Sequence, residues 1–467
     1  MTDSLFRLWT ETVQRDPAAI AVVDASGGAV WTRAELDAAS AAWAASFARL
    51  AEGSPTRGRR VAMSVQNGAE WFQVFIGLLS LGAVPAPIDP SEPEEAQAAA
   101  ARSIGARWIW RAGALRPLVP AEPGMPARRA ALRECLVKLT SGSSGNPRGL
   151  AVTHAQMEAD GRQICRTMGI GPDDANLAVI PLGYSYGLGN LVAPLILQGS
   201  RVICIASALP QAIAWDVRRL KPTVFPAVPP ILAALAASDV ARGSFASVRL
   251  VISAGSPLPP EVSRAFVKRF GIRVHGFYGT SETGGIAYDA SGEATLSGRS
   301  VGTPLSGVRI SLRSRGRFRV SSPAVLGTGH FSPADRARLN KMGELVLLGR
   351  TDRVVKVGGR RVDLGEIEAT LRSLPGIRAA YAQPLGVVEG SLCAAVATDL
   401  GAAEIRRLLR ARFAAWKVPA RIVALREFPQ TPRGKPDTRK LRQILSAPRT
   451  QTSISILSAA RHMSARR

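Results

Sequence analysis

The sequence predicts an α/β fold with a large N-terminal domain of parallel or mixed sheets packed with helices, followed by a small α+β domain. Three observations support this prediction. Short apolar runs alternate with longer helical stretches between residues 58 and 290. The pattern changes after Arg350, where helices enclose shorter strands. The length of 467 residues allows two or three domains at roughly 150 residues each.

The first domain, placed at residues 1–350, is predicted from strands that each precede a helix. A strand at 61–65 is followed by residues 70–81, whose apolar spacing is helical. Parallel sheets are expected because strands separated by helices of about 10–15 residues return to the same edge through crossovers. Further strands are predicted at residues 176–180, 201–205, 223–228 and 249–253.

The small domain is placed at residues 351–445. Asp363 and Glu366 have the spacing of a capping box at the start of a helix. Residues 446–467 contain four arginines and no acidic residue, and we expect a disordered basic tail because nothing there can form a core. The other predicted elements are strands at 379–383 and 392–397 and a helix at 403–416.

The charge balance is the unusual feature of the composition. Sixty basic and 35 acidic residues give a net charge of +25, and 52 of the basic residues are arginine. Arginines cluster at residues 57–60, 313–319 and 406–412. Such an excess is typical of proteins that bind nucleic acids or anionic membranes. No aromatic residues interleave at stacking spacing, so we expect no specific nucleic-acid partner, and peripheral membrane contact stays open.

The sequence also argues against membrane insertion and a zinc site. No apolar run reaches the roughly 20 residues that a transmembrane helix needs, and the N-terminus lacks the basic residues of a signal peptide. We therefore expect a cytoplasmic protein without a transmembrane segment. The four cysteines and four histidines are scattered without metal-ligand spacing, which disfavours zinc.

The most informative segment runs from Thr140 to Arg148. Its glycines allow tight turns that expose backbone N–H groups, and its hydroxyl side chains and Arg148 add donors and a positive charge. This combination suits a polyphosphate, although the Gly-Lys-Ser/Thr ending of a P-loop is absent. The candidate phosphate-binding residues are Thr140, Ser141, Gly142, Ser143, Ser144, Gly145 and Arg148.

A second segment, residues 276–284, brings three kinds of chemistry together near the end of a strand. Tyr278 offers an aromatic face for a base, and Ser281 offers a hydroxyl for a phosphate. Glu282 offers a carboxylate for Mg²⁺. Taken alone, this pattern is weak, because turns that combine an aromatic residue with glycine are common.

Two more segments lie at the predicted domain boundary and beyond it. Residues 349–363 contain a run of charged residues around a Gly-Gly pair. Residues 432–436 contain Lys435, one of only eight lysines in the chain. Because arginine is the usual cation here, a retained lysine indicates that a compact point charge is needed.

Together, these segments resemble the AMP-forming adenylation superfamily, which includes acyl- and aryl-CoA synthetases, firefly-type luciferases and the adenylation domains of peptide synthetases. The resemblance extends over about residues 5 to 445, and the motifs occur in the family's order. It implies that residues 1–350 form the AMP-binding domain and that the small domain is mobile. Three further segments resemble family motifs, namely residues 31–36, 81–90 and 253–258.

The resemblance implies an ATP site. The loop at 140–148 would cover the β and γ phosphates, with Arg148 where the family usually has lysine. Tyr278 and Gly279 would face the adenine, and Glu282 would bind Mg²⁺. Ser281, where the family has threonine, would contact the α-phosphate. The other implied ATP-binding residues are Ser256 beside the adenine, and Asp335 and Arg350 at the ribose, with Asp335 in a Pro-Ala-Asp rather than a Thr-Gly-Asp triplet.

The resemblance also implies residues for the chemistry and for domain movement. Lys435 would bridge the acid and the α-phosphate, and the catalytic set would be Lys435, Glu282 and Arg148. Asp352 would be the hinge of the small domain. Gly358 and Gly359 would line the channel for the thiol, where a bare backbone leaves room.

The resemblance places Tyr184, Val228 and Gly255 in the acid pocket. These residues are apolar or small, and we expect an aliphatic or aromatic acid rather than an amino acid. Tyr184 stands where the family often has histidine, so recognition of the acid is expected to differ.

The leading functional hypothesis is an ATP-dependent acid–thiol ligase that forms acyl-AMP and transfers the acyl group to CoA. The alternative acceptor is the phosphopantetheine of an acyl carrier protein acting in trans, since we find no attachment site after residue 445. A degenerate nucleotide-binding regulator is a third hypothesis, disfavoured by the intact charged residues. The sequence does not decide which acid is used, the acceptor or the oligomeric state.

Overall fold

The computed structural model of the protein describes residues 4–25, 27–51, 54, 56–118, 133–141, 147–350, 353–357, 360–385, 391–410, 412, 417–431 and 435–447. The chain divides into two compact units. The large unit comprises Met1–Pro333 and Ala337–Leu347, and the small unit comprises Ala334–Arg336 and Leu348–Arg467. The predicted domain limits at residues 350 and 445 stay predictions.

Helices and strands alternate through both units. The helices are α1 (Leu5–Arg15), α2 (Arg33–Leu50), α3 (Ala69–Ser80), α4 (Glu94–Ser103), α5 (His154–Met168), α6 (Ser185–Gly187), α7 (Ala193–Gln198), α8 (Pro210–Leu220), α9 (Pro229–Ala237), α10 (Pro260–Phe270), α11 (Glu293–Ser297), α12 (Leu364–Arg372), α13 (Ala402–Arg410) and α14 (Thr438–Ser446). Of these, α12, α13 and α14 belong to the small unit. Shorter helical turns lie at Leu188–Val192, Arg242–Phe245 and Ser314–Gly316. None of the helices in the described residues is long and apolar enough to cross a membrane.

The strands are short, as expected of sheets covered by helices. They are β1 (Ile20–Asp24), β2 (Ala29–Thr32), β3 (Arg60–Ser64), β4 (Val84–Pro87), β5 (Trp108–Arg111), β6 (Ala114–Pro117), β7 (Glu134–Ser141), β8 (Pro147–Thr153), β9 (Ala175–Ala178), β10 (Arg201–Cys204), β11 (Val224–Ala227), β12 (Leu250–Ser253), β13 (Val274–Thr280), β14 (Gly284–Tyr288), β15 (Thr303–Pro304), β16 (Arg309–Leu312), β17 (Phe318–Ser321), β18 (His330–Phe331), β19 (Asp335–Leu339), β20 (Leu345–Arg350), β21 (Val354–Val357), β22 (Arg360–Asp363), β23 (Ile377–Pro384), β24 (Leu392–Thr398) and β25 (Arg421–Leu425).

Local sequence signals explain several helix ends. Thr32 and Glu35 form a capping box at the start of α2, and Thr153 and Gln156 form another at the start of α5. Each box satisfies backbone N–H groups that a helix start leaves without a partner. Gly169 ends α5 in the left-handed conformation, with φ of 63°, which glycine adopts without a steric cost.

In the described part of the chain, the largest sheet has nine strands in the order β15-β14-β13-β12-β11-β9-β10-β1-β2. The strands from β13 to β1 in this order are parallel, and the edge pairs β13–β14, β14–β15 and β1–β2 are antiparallel. The central strands β9, β11 and β12 are buried throughout. Helices cover both faces of a parallel sheet, so continuous burial is expected.

A second sheet of the large unit has the order β4-β3-β5-β6, with β3 parallel to both β4 and β5. Strands β7 and β8 form an antiparallel pair on either side of residues 142–146, which lie outside the described residues. The core contains large aromatic side chains, and Trp71 stacks on Phe75 with ring centroids 4.9 Å apart.

The small unit has its own core. Its sheet has the order β23-β24-β25, with β23 and β24 antiparallel and β24 and β25 parallel. Leu371 of α12 and Ile405 of α13 are buried among aliphatic residues of β23 and β24. Leu441 and Leu445 of α14 pack with Tyr381 in a second cluster.

The predicted fold class is confirmed. The predicted strands at 176–180, 201–205, 223–228 and 249–253 are present as β9, β10, β11 and β12, which are slightly shorter. The predicted helix at 403–416 appears as α13, and residues 411 and 413–416 lie outside the described residues. The Asp363 side chain and the tail beyond residue 447 also lie outside them.

Candidate functional site

Four neighbouring parallel strands carry candidate site residues just beyond their carboxyl ends. In the sheet order β13-β12-β11-β9, these residues are Ser281 and Glu282 after β13, Gly255 and Ser256 after β12, Val228 after β11, and Tyr184 in the segment after β9. The carboxyl ends of parallel strands meet at one edge of a sheet, where α/β proteins generally bind ligands. Sheet order therefore brings together segments that are far apart in the sequence.

Hydrogen bonds to backbone carbonyls hold the turn between β13 and β14. Thr283 is fully buried, and its hydroxyl donates to the carbonyl of Gly284 at 3.0 Å. The amide of Leu326 donates to the carbonyl of Glu282 at 2.9 Å. A Cβ atom at Gly279 would lie 2.4 Å from the carbonyl oxygen of Gly284, so only glycine fits there. The Glu282 side chain remains half-buried at this turn.

Ser281 contacts the segment after β9. The Ser185 hydroxyl donates to the Ser281 hydroxyl, with 2.9 Å between the two oxygens. Next to Ser185, the Tyr186 hydroxyl donates to the carbonyl of Ile252 at 3.0 Å, and burial raises the pKa of Tyr186 well above its usual value. These two contacts join the segment after β9 to both β12 and the turn after β13.

Tyr184 contacts the carboxylate of Asp89, which lies in the segment 81–90 and had no role assigned from the sequence. Its hydroxyl donates to Oδ2 of Asp89 in the segment after β4. Asn67 supports the same region, because its amide donates to the carbonyl of Ile180 at 2.8 Å and its oxygen accepts from the amide of Leu182 at 3.0 Å. The position of Tyr184 thus depends on two segments from the second sheet.

Val228 and Gly255, both predicted pocket residues, are neighbours. A Cβ atom at Gly255 would lie 3.5 Å from Cγ1 of Val228, and Gly255 has a φ of 89°. Tyr278 on β13 is half-buried and packs against apolar residues of the sheet. Ser256 is half-buried, whereas the hydroxyl of Ser253 is buried without a hydrogen-bond partner in the described residues.

Two buried charged residues, Lys138 and Asp160, lie behind the turn and were missed from the sequence. Lys138 on β7 and Asp160 on α5 are each only 4% exposed. Asp160 Oδ1 accepts from the amide of Gly285 at 2.9 Å, and a Cβ atom at Gly284 would lie 2.3 Å from the same oxygen. Burial raises the pKa of Asp160, and the Lys138 ammonium and the Gly285 amide oppose that rise. A lysine inside the otherwise apolar strand at 135–139 was the available signal.

The predicted phosphate loop is described only at its two ends. Thr140 on β7 pairs with Arg148 on β8, and the Thr140 hydroxyl donates to the Arg148 carbonyl at 3.3 Å. The Arg148 side chain is exposed. Gly142, Ser143, Ser144 and Gly145 lie outside the described residues, as does the side chain of Ser141.

The small unit carries the remaining predicted residues that the structure describes. Asp335 and Arg350 form an ion pair, with 3.8 Å between Oδ1 and Nη1. Lys435 is exposed, and its carbonyl accepts from the Thr431 amide at 2.8 Å. Asp352, Gly358 and Gly359 lie outside the described residues.

A parallel α/β sheet with candidate residues beyond the carboxyl ends of its strands is typical of proteins that bind a ligand at that edge. The AMP-binding enzyme family model matches residues 9–124 and 120–322 of the chain. This chain belongs to the AMP-binding enzyme family.

Individual relatives are more distant. The chain is 28% identical to the phenyloxazoline synthase MbtB of Mycolicibacterium paratuberculosis, over 91% of this chain and 41% of that protein. It is 27% identical to the 2-hydroxy-7-methoxy-5-methyl-1-naphthoate–CoA ligase of Streptomyces carzinostaticus, over 66% of this chain and 62% of that protein. The chain thus spans less than two thirds of both relatives.

The fold resembles that of ATP-bound MatB from Rhodopseudomonas palustris. The TM-score is 0.80 at 20% identity, over 94% of this chain and 99% of that one. At this identity, the likeness supports the fold alone.

Proposed function

We propose that the protein is an adenylate-forming ligase that activates a carboxylic acid with ATP and transfers the acyl group to CoA. The observation that carries the proposal is the hydrogen bond between Ser185 and Ser281. It joins the segment proposed to border the acid to the turn proposed to contact the α-phosphate. Family membership supports the same activity.

The reaction has two steps. A carboxylate oxygen attacks the α-phosphorus of ATP, the bond between the α-phosphorus and the bridging oxygen breaks, and pyrophosphate leaves. The thiolate sulfur then attacks the acyl carbonyl, and AMP leaves with the electron pair of the carbon–oxygen bond. Both steps bring anions together, so fixed positive charge and positioning are the contributions that the protein must supply.

The proposed ATP site lies at the edge of the nine-stranded sheet where the carboxyl ends of its parallel strands meet. Tyr278 would stack on the adenine, with Gly279 and Ser256 beside it, and Ser281 would contact the α-phosphate. The other proposed phosphate contacts are the loop residues Thr140, Ser141, Gly142, Ser143, Ser144 and Gly145, with Arg148.

Glu282 is the proposed contact for Mg²⁺. Among the described residues, no group of three or more His, Cys, Asp or Glu side chains could hold a metal ion. Mg²⁺ is often bound through one or two carboxylates together with substrate phosphates, and a single half-buried glutamate fits that pattern. The ion would neutralise charge on the phosphates.

The small unit is proposed to supply residues for both steps. Lys435 would provide a positive charge where the acid meets the α-phosphate, and Asp335 and Arg350 would bind the ribose hydroxyls. Asp352 as a hinge, and Gly358 and Gly359 as the thiol channel, stay predictions from the resemblance.

The acid is proposed to be aliphatic or aromatic. Val228 and Gly255 offer apolar and small surfaces, and the Tyr184 hydroxyl is engaged by Asp89. A tyrosine held in this way has its hydroxyl proton committed to a carboxylate. An aromatic or branched aliphatic group suits such a surface.

The acceptor is proposed to be CoA, with a carrier-protein phosphopantetheine as the alternative. A CoA ligase and a synthase of another kind are both among the relatives. The discriminating measurement is thioester formation from a chemically supplied acyl-AMP, with free CoA or a phosphopantetheinylated carrier as the thiol.

The experiment that tests the function is acid-dependent exchange of pyrophosphate into ATP across a panel of aliphatic, aromatic and amino acids. We expect exchange with at least one aliphatic or aromatic acid, and reduced exchange in Glu282→Gln that more Mg²⁺ partly restores. Exchange with amino acids alone would refute the proposed acid class. ATP binding without exchange for any acid would favour a nucleotide-binding regulator instead.

A further inference from the structure

One face of α5 carries three polar side chains that contact the segments around Glu282. Gln156, Asp160 and Gln163 are spaced by four and three residues, so they lie on the same face of the helix, which we call the polar face of α5. Asp160 is 4% exposed and Gln163 is 8% exposed. Burying polar groups is costly unless they are hydrogen-bonded, so the partners of this face indicate what it does.

Asp160 holds the turn between β13 and β14 directly. The amide of Gly285, three residues after Glu282, donates to Asp160 Oδ1 at 2.9 Å. The neighbouring Gly284 has a φ of 68°, and a Cβ atom there would lie 2.3 Å from the same oxygen. Only glycine therefore lets the backbone of the turn approach this carboxylate so closely.

The two glutamines of the polar face hold a second segment, residues 322–326. The side-chain amide of Gln156 donates to the carbonyl of Val325 at 3.1 Å. The side-chain amide of Gln163 donates to the hydroxyl of Ser322 at 3.0 Å. One helix face thus holds both ends of this segment.

The segment 322–326 in turn contacts Glu282. The amide of Leu326 donates to the carbonyl of Glu282 at 2.9 Å. The backbone that carries the Glu282 side chain is therefore held at two points, at its own carbonyl and at the amide of Gly285. A side chain on a backbone that is already fixed loses less freedom when it binds a ligand.

The position of α5 in the chain connects this arrangement to the other part of the proposed ATP site. The helix starts at His154, directly after β8, and β7 and β8 flank the proposed phosphate loop. Lys138 on β7 is close enough for its ammonium to oppose the rise in the pKa of Asp160. Asp160 thus lies between the hairpin that carries the phosphate loop and the turn that carries Glu282.

We propose that Asp160 is a positioning residue for the Mg²⁺ contact of the ATP site. By accepting from the amide of Gly285, it keeps the turn in the conformation in which the Glu282 carboxylate meets the metal ion of MgATP. Asp160 acts through the turn and not on the reacting atoms. The inference rests on the proposed function, because the role of Glu282 comes from there.

The test is the affinity for ATP measured by calorimetry without any acid, in Mg²⁺ and in EDTA. We call the Kd in EDTA divided by the Kd in Mg²⁺ the magnesium ratio. Asp160→Ala removes the acceptor of the Gly285 amide, and we expect the magnesium ratio to fall by about fivefold, the scale of one hydrogen bond. Asp160→Asn keeps an acceptor and should retain the ratio. A wild-type ratio in folded Asp160→Ala would overturn the proposal.

Asp174→Ala is the matched control for the loss of a buried carboxylate. Asp174 is 7% exposed and lies just before β9, at the amino end of the sheet and opposite the candidate site. It accepts from the amide of Gly171 and pairs with Arg249. The control should lower the melting temperature without changing the magnesium ratio. An equal fall in the ratio would mean that lost stability alone explains the effect, and would overturn the proposal.

Gly284→Ala tests the same contact from the side of the turn and leaves Asp160 intact. Its Cβ would clash with Asp160 Oδ1, so we expect a lower magnesium ratio. Gly271→Ala is its control, because Gly271 has a similar φ of 74° and a Cβ there meets no other segment of the described chain within 4 Å. Equal ratios in these two variants would contradict the positioning role.

Glu282→Gln distinguishes failure of this inference from failure of the proposed function. A wild type without any effect of Mg²⁺ on ATP affinity, or a full magnesium ratio in Glu282→Gln, would remove Glu282 as the metal contact and overturn both proposals. A reduced ratio in Glu282→Gln, with full ratios in Asp160→Ala and Gly284→Ala, would overturn the positioning role alone.

Discussion

The two units hold their candidate site residues in different ways. In the large unit, the turn after β13 is held by residues far away in the sequence. Ser281 accepts from Ser185, 96 residues earlier, and Gly285 donates to Asp160, 125 residues earlier. In the small unit, the carbonyl of the exposed Lys435 accepts from the amide and the hydroxyl of Thr431, four residues earlier. One site is assembled by the tertiary fold, and the described contacts of the other are local in the sequence.

This difference predicts different consequences of mutation. Hydrogen bonds between distant segments make the site depend on the stability of the large unit. Removing one partner leaves a polar group without its hydrogen bond. An exposed lysine side chain can be removed without disturbing a core. The large-unit site should therefore lose stability and activity together, whereas Lys435 should affect activity alone.

The largest effect on stability is expected for Lys138 and Asp160. Lys138→Met should destabilise the large unit by up to about 3 kcal/mol, because the Asp160 carboxylate stays buried without its positive neighbour. Adding Asp160→Asn should recover much of this loss, since asparagine keeps an acceptor for the Gly285 amide and removes the charge. Denaturant unfolding of the two single variants and the double variant measures the coupling. Additive losses would mean that the two charges do not interact.

The same pair gives a pH test. Burial raises the pKa of Asp160, and Lys138 opposes the rise. In Lys138→Met the folded-state pKa of Asp160 rises further above the unfolded value. The added destabilisation is therefore absent below the wild-type folded-state pKa, grows as the pH rises from there towards the variant's higher folded-state pKa, and is constant above it. Melting temperatures of wild type and variant should converge on acidification. A constant difference at all pH values would contradict this prediction.

The next largest effect is expected for Lys435, whose substitution should change activity and not stability. Lys435→Ala should reduce acyl-AMP formation by about 10²-fold or more, the usual scale for a positioned electrostatic group. It should leave the melting temperature and thioester formation from supplied acyl-AMP nearly unchanged. Lys440→Ala is the matched control, because Lys440 is another exposed lysine, on the following helix. Equal loss in both half-reactions would mean that Lys435 has a general rather than a step-specific role.

The smallest effect is expected for Tyr184 and concerns the KM for the acid. Tyr184→Phe removes the hydroxyl that donates to Asp89, and we expect about a fivefold rise in the KM for the acid, corresponding to a hydrogen bond of about 1 kcal/mol. The KM for ATP should not change. Tyr381→Phe, which removes a tyrosine hydroxyl in the small unit, is the control. A change in the KM for ATP without a change for the acid would place Tyr184 in the nucleotide site.

The fold class and the main strands were predictable because apolar runs and helical spacing are local signals. The turn at 276–284 was also found from the sequence, since its aromatic ring, hydroxyl and carboxylate lie within five residues. Asn67 and Asp160 were not found. Each acts through hydrogen bonds with a distant segment, and a single polar residue in a local pattern gives no signal of those contacts.

The sequence by itself determines the tight turns, the hydrogen-bond donors near the strand ends and the excess of arginine. Each of these depends only on residue type and spacing. The neighbours of each strand follow instead from the sheet order β13-β12-β11-β9. That order places Ser281, Val228 and Tyr184 beyond adjacent parallel strands, although they are far apart in the sequence. Strand order is set by burial of both sheet faces and by the crossovers between strands, which are properties of the whole large unit and not of any one segment.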